Sequence, residues 1–309
     1  MARYKIIVNP AAGSGAAGKA VPRMERLLEN ADLDFDVVET EGPWHAAELA
    51  RKAVDIGDDV VVAMGGDGTA NEVLNGLMQA KEAGKSSCAM GVLCAGRGND
   101  FAHGVGIPTD LEEGCRILAQ ESRRTIDVGR VVGDGFPRGR YFGNGIGIGF
   151  DAVVGFEAAK MKRLHGFFCY AVSALKTLFL YYKAPLVQIE YNGKTIVQSS
   201  LMISVMNGQR MGGGFKMAPH ARPDDGQLDL CIAGVASRLR ILGLMFHFLR
   251  GTQAGKEPIK MDRTVRISVT ALEGSLPAHA DGEKLCVEGH RLELELLAGQ
   301  MDIVCPPIC

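Results

Sequence analysis

Alternation in the first half of the chain and a change of pattern in the second predict an α/β fold of two domains. Over residues 4–120, short apolar runs alternate with amphipathic stretches at helical spacing, which marks a parallel sheet covered by helices on both faces. Two of those runs break into glycine turns at their ends, where a wound sheet binds its ligands. From Arg124 onward strands dominate, and Asn192-Gly193 between two alternating runs is a type I′ hairpin signal, so this half reads as mostly antiparallel β. At 309 residues the chain has material for two cores.

The elements follow in order. Residues 4–8 form a strand that ends in Asn9-Pro10-Ala11-Ala12-Gly13-Ser14-Gly15, a turn leading to a helix over residues 20–29. Residues 35–40 are the second strand. Residues 45–56 are the next helix, with Ala46, Leu49, Ala50 and Ala53 on one face. Residues 60–64 carry no turn former and predict a buried parallel strand. Thr69 and Glu72 have the spacing of a capping box, and Ala70, Val73, Leu74, Leu77 and Met78 follow at helical intervals. A fourth strand, residues 89–94, runs into Ala95-Gly96-Arg97-Gly98-Asn99-Asp100-Phe101, repeating the strand, glycine turn and helix start. Residues 109–112 are a second capping box, opening a helix to about residue 120.

The turn at Gly65-Gly66-Asp67-Gly68 is the chemically informative one. A helix start carries unpaired amides and about half a positive charge, and glycines let a phosphate approach them. The turn points to a polyphosphate, which Asp67 would repel unless Mg²⁺ or a substrate hydroxyl stood between. The P-loop pattern Gly-x4-Gly-Lys-Ser/Thr is absent from the chain.

A net charge of −2 offers no basic field, so nucleic acid is not an expected partner. The eight cysteines form no CxxC pair and read as reduced core residues of a cytosolic protein. The seven histidines, His165 among them, show no ligand spacing. The opening Met-Ala-Arg-Tyr-Lys-Ile-Ile-Val enters a strand at once, leaving no room for a signal peptide. No stretch reaches the ~20 uninterrupted apolar residues of a membrane span. The nearest, residues 166–182, is interrupted by Lys176.

Gly65-Gly66-Asp67-Gly68-Thr69 followed by Asn71-Glu72 resembles the nucleotide signature of the diacylglycerol kinase catalytic domain, as in soluble bacterial lipid kinases and sphingosine and ceramide kinases. The resemblance extends over nearly the whole chain. Asn9-Pro10-x-x-Gly13 is similar to that family's opening turn over the nucleotide phosphates, and Thr40 maps to a threonine that contacts the nucleotide. The second turn departs from the family's Pro-x-Gly-Thr-x-Asn-Asp-Phe, with Cys94 for the proline and Arg97 for the threonine. Arg97 either supplies a guanidinium to phosphate or faces solvent, and both readings stand. Asn99 and Asp100 match and cap the short helix while shaping the site. The resemblance implies ATP held by residues 9–13, Thr40, residues 65–72, Gly96, Arg97, Asn99 and Asp100. It also implies a phosphofructokinase-like or NAD-kinase-like first domain, residues 1–126 plus 298–309, the last strand 301–305 returning to it. The second domain, residues 127–297, would be a β-sandwich, with the active site in the cleft between the two.

In the second half, strands are read at residues 125–132, 141–146, 185–191, 194–206, 227–232, 264–270 and 291–297. The glycines of residues 143–151 are not a dinucleotide fingerprint, because their spacing is wrong and no βαβ unit is read after them. They are similar to a lipid kinase segment. Asp127 reads equally as part of a cleft network and as a partnered structural group. Residues 166–182 are apolar on nearly every face, which favours a core helix over one that meets lipid. Residues 237–251 place apolar side chains beside Arg238, Arg240 and Arg250, which suits an interfacial helix on anionic lipid and equally a packed helix with solvated arginines. The oxygen-rich turn at residues 221–230 is explained by a β-turn or by a cation. Resemblance favours a structural Mg²⁺ held by Asp225 and by the backbone carbonyls of Arg222 and Gln227. Asp281-Gly282-Glu283 is similar to a lipid kinase motif whose glutamate takes the hydroxyl proton, so Glu283 is the expected general base.

The expected protein is thus an ATP- and Mg²⁺-dependent lipid kinase acting on a diacylglycerol-like or sphingoid hydroxyl, cytoplasmic and peripheral at the inner membrane face. Asp67 would orient Mg²⁺ or the hydroxyl and Glu283 would deprotonate it. The expected partners are lipid, with a homodimer left open. Two rivals remain at this stage: an NAD kinase, which shares Gly-Gly-Asp-Gly-Thr, and a nucleotide-binding membrane regulator without catalysis, for which Arg97 is the argument.

Overall fold

The apolar runs at the start of the chain become a parallel sheet. The computed structural model describes residues 2–85, 88–96, 98–161, 166–180 and 183–307, with the side chains of 166 and 167 excepted. Arg97, His165, Cys309 and the end of the apolar stretch, residues 181 and 182, lie outside the described residues. The chain forms two units, Met1–Ile126 with Gly299–Cys309, and Asp127–Ala298.

The first unit runs β1 (Arg3–Val8), α1 (Ala12–Asn30), β2 (Asp34–Glu39), α2 (His45–Ile56), β3 (Val60–Gly65), α3 (Asp67–Glu82), β4 (Ala89–Cys94), α4 (Asp100–Gly104) and α5 (Leu111–Gln120). Its strands are parallel in the order β4-β3-β1-β2, and Ile303 pairs in parallel with Met90 beside them. All six residues of β3 are buried, because a central strand has helices on both of its faces. One core gathers Tyr4, Ile6, Val8, Val60, Val62 and Met64 with Met24 and Leu28 of α1 and Ile117 and Leu118 of α5. β2 lies on one side of β1 and β3 on the other, so the winding reverses there and leaves a crevice at the C-terminal ends of β1 and β3.

Helix starts differ from the expected capping boxes. α3 begins at Asp67 with Gly66 as its N-cap and no side-chain cap, so Thr69 already lies inside the helix. Glu72 instead accepts the Ala46 amide at the start of α2, at 3.2 Å. In α5 the cap is Asp110, which accepts the Glu113 amide at 3.0 Å. α1 starts at Ala12 rather than residue 20, with Gly13, Ser14 and Gly15 in left-handed conformations before regular helix sets in.

The second unit takes up β5 (Arg123–Gly133) from Asp127 on, β6 (Phe136–Phe142), β7 (Gly145–Gly149), α6 (Phe150–Lys160), α7 (Gly166–Leu180), β8 (Leu186–Tyr191) and β9 (Lys194–Met206). It continues with β10 (Leu228–Gly234), α8 (Arg238–Arg250), β11 (Ile259–Thr264), β12 (Arg266–Glu273), β13 (Leu276–Ala280), β14 (Glu283–Gly289) and β15 (Arg291–Val304), whose residues from Gly299 on belong to the first unit. β9 pairs antiparallel with β8 through residue 199 and with β7 and β10 from residue 200 or 202 onward, so one long strand serves two sheets. Side chains from both sheets, including Phe142, Ile148, Ile189, Val205, Leu230, Val269 and Leu294, fill the sandwich-like core. α6, α7 and α8 cover the other face of β9 and β10 through Val154, Leu178, Ile241, Leu244 and Phe248.

Several strand limits move for physical reasons. The single strand expected at residues 141–146 is divided at Gly143 and Asn144, whose amides turn toward the Asp281 carboxylate. Residues 264–270 fall into β11 and β12, while residues 291–297 and 301–304 are one strand. β13 and helix α6 had no separate expectation. α6 does follow the glycines of β7, yet β7 pairs antiparallel with both neighbours, so no βαβ unit is present. α7 is not all core: Cys169, Ser173, Ala174, Thr177 and Leu178 are buried, but Phe168, Val172, Leu175 and Phe179 are exposed along one stripe. No helix among the described residues is long and apolar enough to cross a membrane.

Candidate active site

Three turns meet at the crevice of the first unit. A Cβ on Gly13 would run into the Ala95 carbonyl, so the β1–α1 turn lies directly against the turn after β4. A Cβ on Gly66 would stand 3.0 Å from the Gly96 Cα, which places the β3–α3 turn against the same segment. Only glycine allows backbones that close. Asn9 Nδ2 donates to Thr69 Oγ1 at 3.2 Å, and Asn9 Oδ1 accepts the Ala11 amide at 3.1 Å, so one side chain both shapes the first turn and holds the second. Asn99, itself left-handed, accepts the Gly96 amide at 3.2 Å and donates back to the Gly96 carbonyl, closing the third turn.

The expected site residues divide accordingly. Asn9, Pro10, Ala11, Ala12, Gly13, Gly65, Gly66, Asp67, Gly68, Thr69, Gly96, Asn99 and Asp100 belong to the three adjoining turns. Thr40 stands beside them, its amide bonded to the Val8 carbonyl at 2.8 Å. Ala70 and Asn71 are buried within α3, and Asn75 Nδ2 bonds the Asn71 carbonyl at 2.8 Å. Glu72 faces the start of α2, away from the turns. Arg97 is outside the described residues.

Asp67 is partly exposed in the first turn of α3. Its Oδ1 accepts the Phe101 amide at 3.1 Å, and its Oδ2 comes 2.7 Å from where a Gly98 Cβ would stand. The carboxylate is therefore fixed by the third turn while lying at a helix start that attracts anions. Glycine turns plus a fixed carboxylate can hold a polyphosphate and a cation together.

In the second unit Glu283 is exposed at the head of β14. Before it, Asp281 is buried and left-handed, and its carboxylate accepts the amides of Gly143 (2.8 Å), Asn144 (3.0 Å) and Gly145 (2.8 Å). No local pattern announces this three-amide cradle, because the partners are more than 130 residues apart in the chain. Asp127 is a partnered group: it is buried and accepts the Gly226 amide at 2.8 Å, and Asn207 bonds its carbonyl.

In the Arg222–Gln227 turn, Arg222 Nε donates to Asp224 Oδ1 at 3.3 Å. Asp225 Oδ1 accepts the Gln227 amide at 3.1 Å, and Arg263 is shared between Asp225 (3.6 Å) and Asp229 (3.1 Å). Asp229 Oδ2 is buried with no donor, and burial raises that carboxyl's pKa against the pull of Arg263. Among the described residues no group of three acidic, histidine or cysteine side chains could bind a metal. A cation fits here only with backbone carbonyls completing the set, as the Arg222 and Gln227 carbonyls would.

Comparison with known proteins agrees with this architecture. The diacylglycerol kinase catalytic domain model matches residues 3–131, and the YegS C-terminal NAD kinase beta sandwich-like domain model matches residues 144–304. A diacylglycerol kinase of Mycobacterium tuberculosis is 30% identical over 281 residues, covering 91% of this chain and 88% of the relative. One from Bacillus subtilis is 29% identical over 286 residues, with 92% and 90% covered. The crystal structure of a putative diacylglycerol kinase from Bacillus anthracis superposes with a TM-score of 0.79 at 22% identity, covering 99% of this chain and 97% of that one. Fold and site thus define a two-domain kinase with a wound parallel sheet and a β-sandwich-like second half. The chain belongs to the diacylglycerol kinase catalytic-domain family and is an ATP-dependent lipid kinase.

Proposed function

We propose that the protein transfers the γ-phosphoryl group of ATP to the hydroxyl of a diacylglycerol-like or sphingoid lipid, with Mg²⁺. The observation that carries this reading is the contact of three glycine turns at the point where the sheet reverses, with Asp67 fixed among them. Phosphoryl transfer needs positioning and charge neutralisation more than covalent help from the protein, and this arrangement supplies both.

Asn9, Gly13, Thr40, Gly65 to Thr69, Gly96 and Asn99 hold the nucleotide. Glu283 accepts the lipid hydroxyl proton as the oxygen forms its bond to the γ-phosphorus and the bond to the β-phosphate oxygen breaks. Asp67 would orient Mg²⁺ or the hydroxyl, and the cation would supply neutralisation of phosphate charge. A second, structural Mg²⁺ would be held by the Asp225 side chain and the Arg222 and Gln227 carbonyls, near the Asp229 oxygen that has no donor.

The protein works at the cytoplasmic membrane face as a peripheral enzyme. Phe168, Val172, Leu175 and Phe179 are exposed on α7, and Leu239 and Phe246 on α8. Arg238 Nε donates to the Leu178 carbonyl at 3.2 Å, so the start of α8 adjoins the end of α7. Arg250 lies 4.1 Å over the Phe246 ring. Apolar side chains flanked by guanidinium groups suit an anionic lipid surface.

The test is transfer from γ-labelled ATP to diacylglycerol, phosphatidylglycerol, ceramide and sphingosine in mixed micelles, with and without Mg²⁺, beside NAD in solution. Labelled lipid only with Mg²⁺ supports the reading. Labelled NAD alone would replace it by the NAD kinase reading, and tight ATP binding without turnover by the regulator.

A further inference from the structure

β13 and β14 are joined by two residues, Asp281 (φ 48°) and Gly282 (φ 85°), with Ala280 paired to Glu283 across them. Two successive left-handed residues are the type I′ form, so the direction in which Glu283 leaves the turn is set by how that turn is anchored. The Asp281 carboxylate anchors it on one side through the three amides of residues 143–145. On the other side the Gly282 amide donates to Nδ1 of His279 at 3.3 Å.

A ring nitrogen that accepts a hydrogen bond carries no proton, so neutral His279 bears its proton on Nε2. That nitrogen faces Gly147 of the neighbouring strand β7, 2.5 Å from where a Cβ would stand. Asp151 Oδ2 lies 2.7 Å from the same point, so ring and carboxyl are neighbours across a residue that has no side chain. Asp151 keeps some accessible surface as a residue, but its carboxyl is enclosed. Ser204 Oγ donates to its Oδ2 at 2.8 Å and the Ala152 amide bonds its Oδ1 at 2.9 Å. His279 is 4% exposed and Ser204 is fully buried. The kinase reading uses none of these three side chains, although burying a carboxyl and an imidazole together is costly unless both are engaged.

We propose that His279 is a positioning residue for Glu283: with Asp151 and Ser204 behind it, its ring fixes the Asp281–Gly282 turn and so aims the carboxylate at the head of β14. The inference rests on Glu283 being the general base. Displacing a reacting group by about 1 Å costs roughly a hundredfold in rate, so an anchor behind the base acts on turnover rather than on ATP binding.

The test compares His279→Asn, whose amide oxygen replaces Nδ1 as acceptor, with His279→Gln, whose polar end sits near Nε2 and leaves the Gly282 amide unanswered. Glu283→Gln runs in parallel, and nitrogen-15 NMR of the labelled parent reads the His279 tautomer. We expect the Nε2-protonated neutral ring in the parent. His279→Asn should stay within about threefold of parental kcat, and His279→Gln should fall by at least about tenfold with KM for ATP unchanged. An Nδ1-protonated ring, or His279→Gln with parental kcat beside an inactive Glu283→Gln, would overturn the proposal. Should His279→Gln not fold, the tautomer and His279→Asn decide: an Nδ1 proton, or a tenfold loss in His279→Asn, overturns it. Full activity in Glu283→Gln would instead remove the base on which the inference rests, with the tautomer still reporting the anchor.

Discussion

Asn9 Nδ2 donates to Thr69 Oγ1 at 3.2 Å, tying the end of the first strand to the first turn of α3 across the point where the sheet reverses. The bond makes two of the three glycine turns a single unit. Thr69→Val keeps the shape and removes the acceptor. It should raise KM for ATP several-fold, the scale of one hydrogen bond of about 1 kcal/mol, and leave kcat nearly unchanged. Initial rates over an ATP series measure both.

Gly96→Ala should be far more damaging than its size suggests. Its new Cβ would collide with the Gly66 backbone, which no side-chain rotation can relieve. ATP affinity, measured by calorimetry, should fall by at least about tenfold, or about 1.4 kcal/mol. Gly42→Ala is the control, because nothing lies within 4 Å of its added Cβ, and its effect should stay within about 0.5 kcal/mol.

Asp281→Asn tests the cradle. Asparagine tolerates the left-handed backbone, but its amide nitrogen turns one acceptor into a donor facing backbone N–H groups. A loss of about 1–3 kcal/mol in urea unfolding is expected, together with reduced turnover.

Stability should vary with pH in opposite senses at two neighbouring groups. Burial raises Asp151 from 3.8 to about 7, so its contribution is complete below 3.8 and is lost as pH rises to 7. Burial lowers His279 from 6.5 to about 4, so its contribution is complete above 6.5 and is lost as pH falls to 4. Between pH 4 and 6.5 the two gradients oppose each other. Asp151→Asn should therefore melt at progressively lower temperature toward pH 4 than the parent trend implies, and His279→Asn should do so toward pH 7. Scanning calorimetry at half-unit intervals checks this, and parallel profiles in all three proteins would contradict the assignment.

Much of the fold was legible because its signals are local. The uninterrupted apolar run of β3 could only be a covered strand, and Asn192-Gly193, left-handed at both residues, joins Tyr191 directly to Lys194 as a type I′ hairpin does. Where the reading went astray, a distant partner had overruled the local pattern. Thr69 and Glu72 have capping-box spacing, but the N-cap of α3 is Gly66, three residues earlier, and both side chains serve other elements, Asn9 and Ala46. The β6–β7 break depends on Asp281, far along the chain. α7 is apolar all round, so periodicity could not tell which side the sandwich would leave exposed. His279 beside Asp151 was invisible for the same reason, since only the pairing of β13 with β7 brings them to one glycine.

The most direct measurement is phosphoryl transfer from γ-labelled ATP to micellar diacylglycerol by the parent and by Glu283→Gln, with NAD as a competing acceptor. The account predicts labelled lipid and unlabelled NAD with the parent, and a loss of at least about a hundredfold in the variant with ATP affinity retained. Labelled NAD without labelled lipid, or a Glu283→Gln enzyme as fast as the parent, would contradict it.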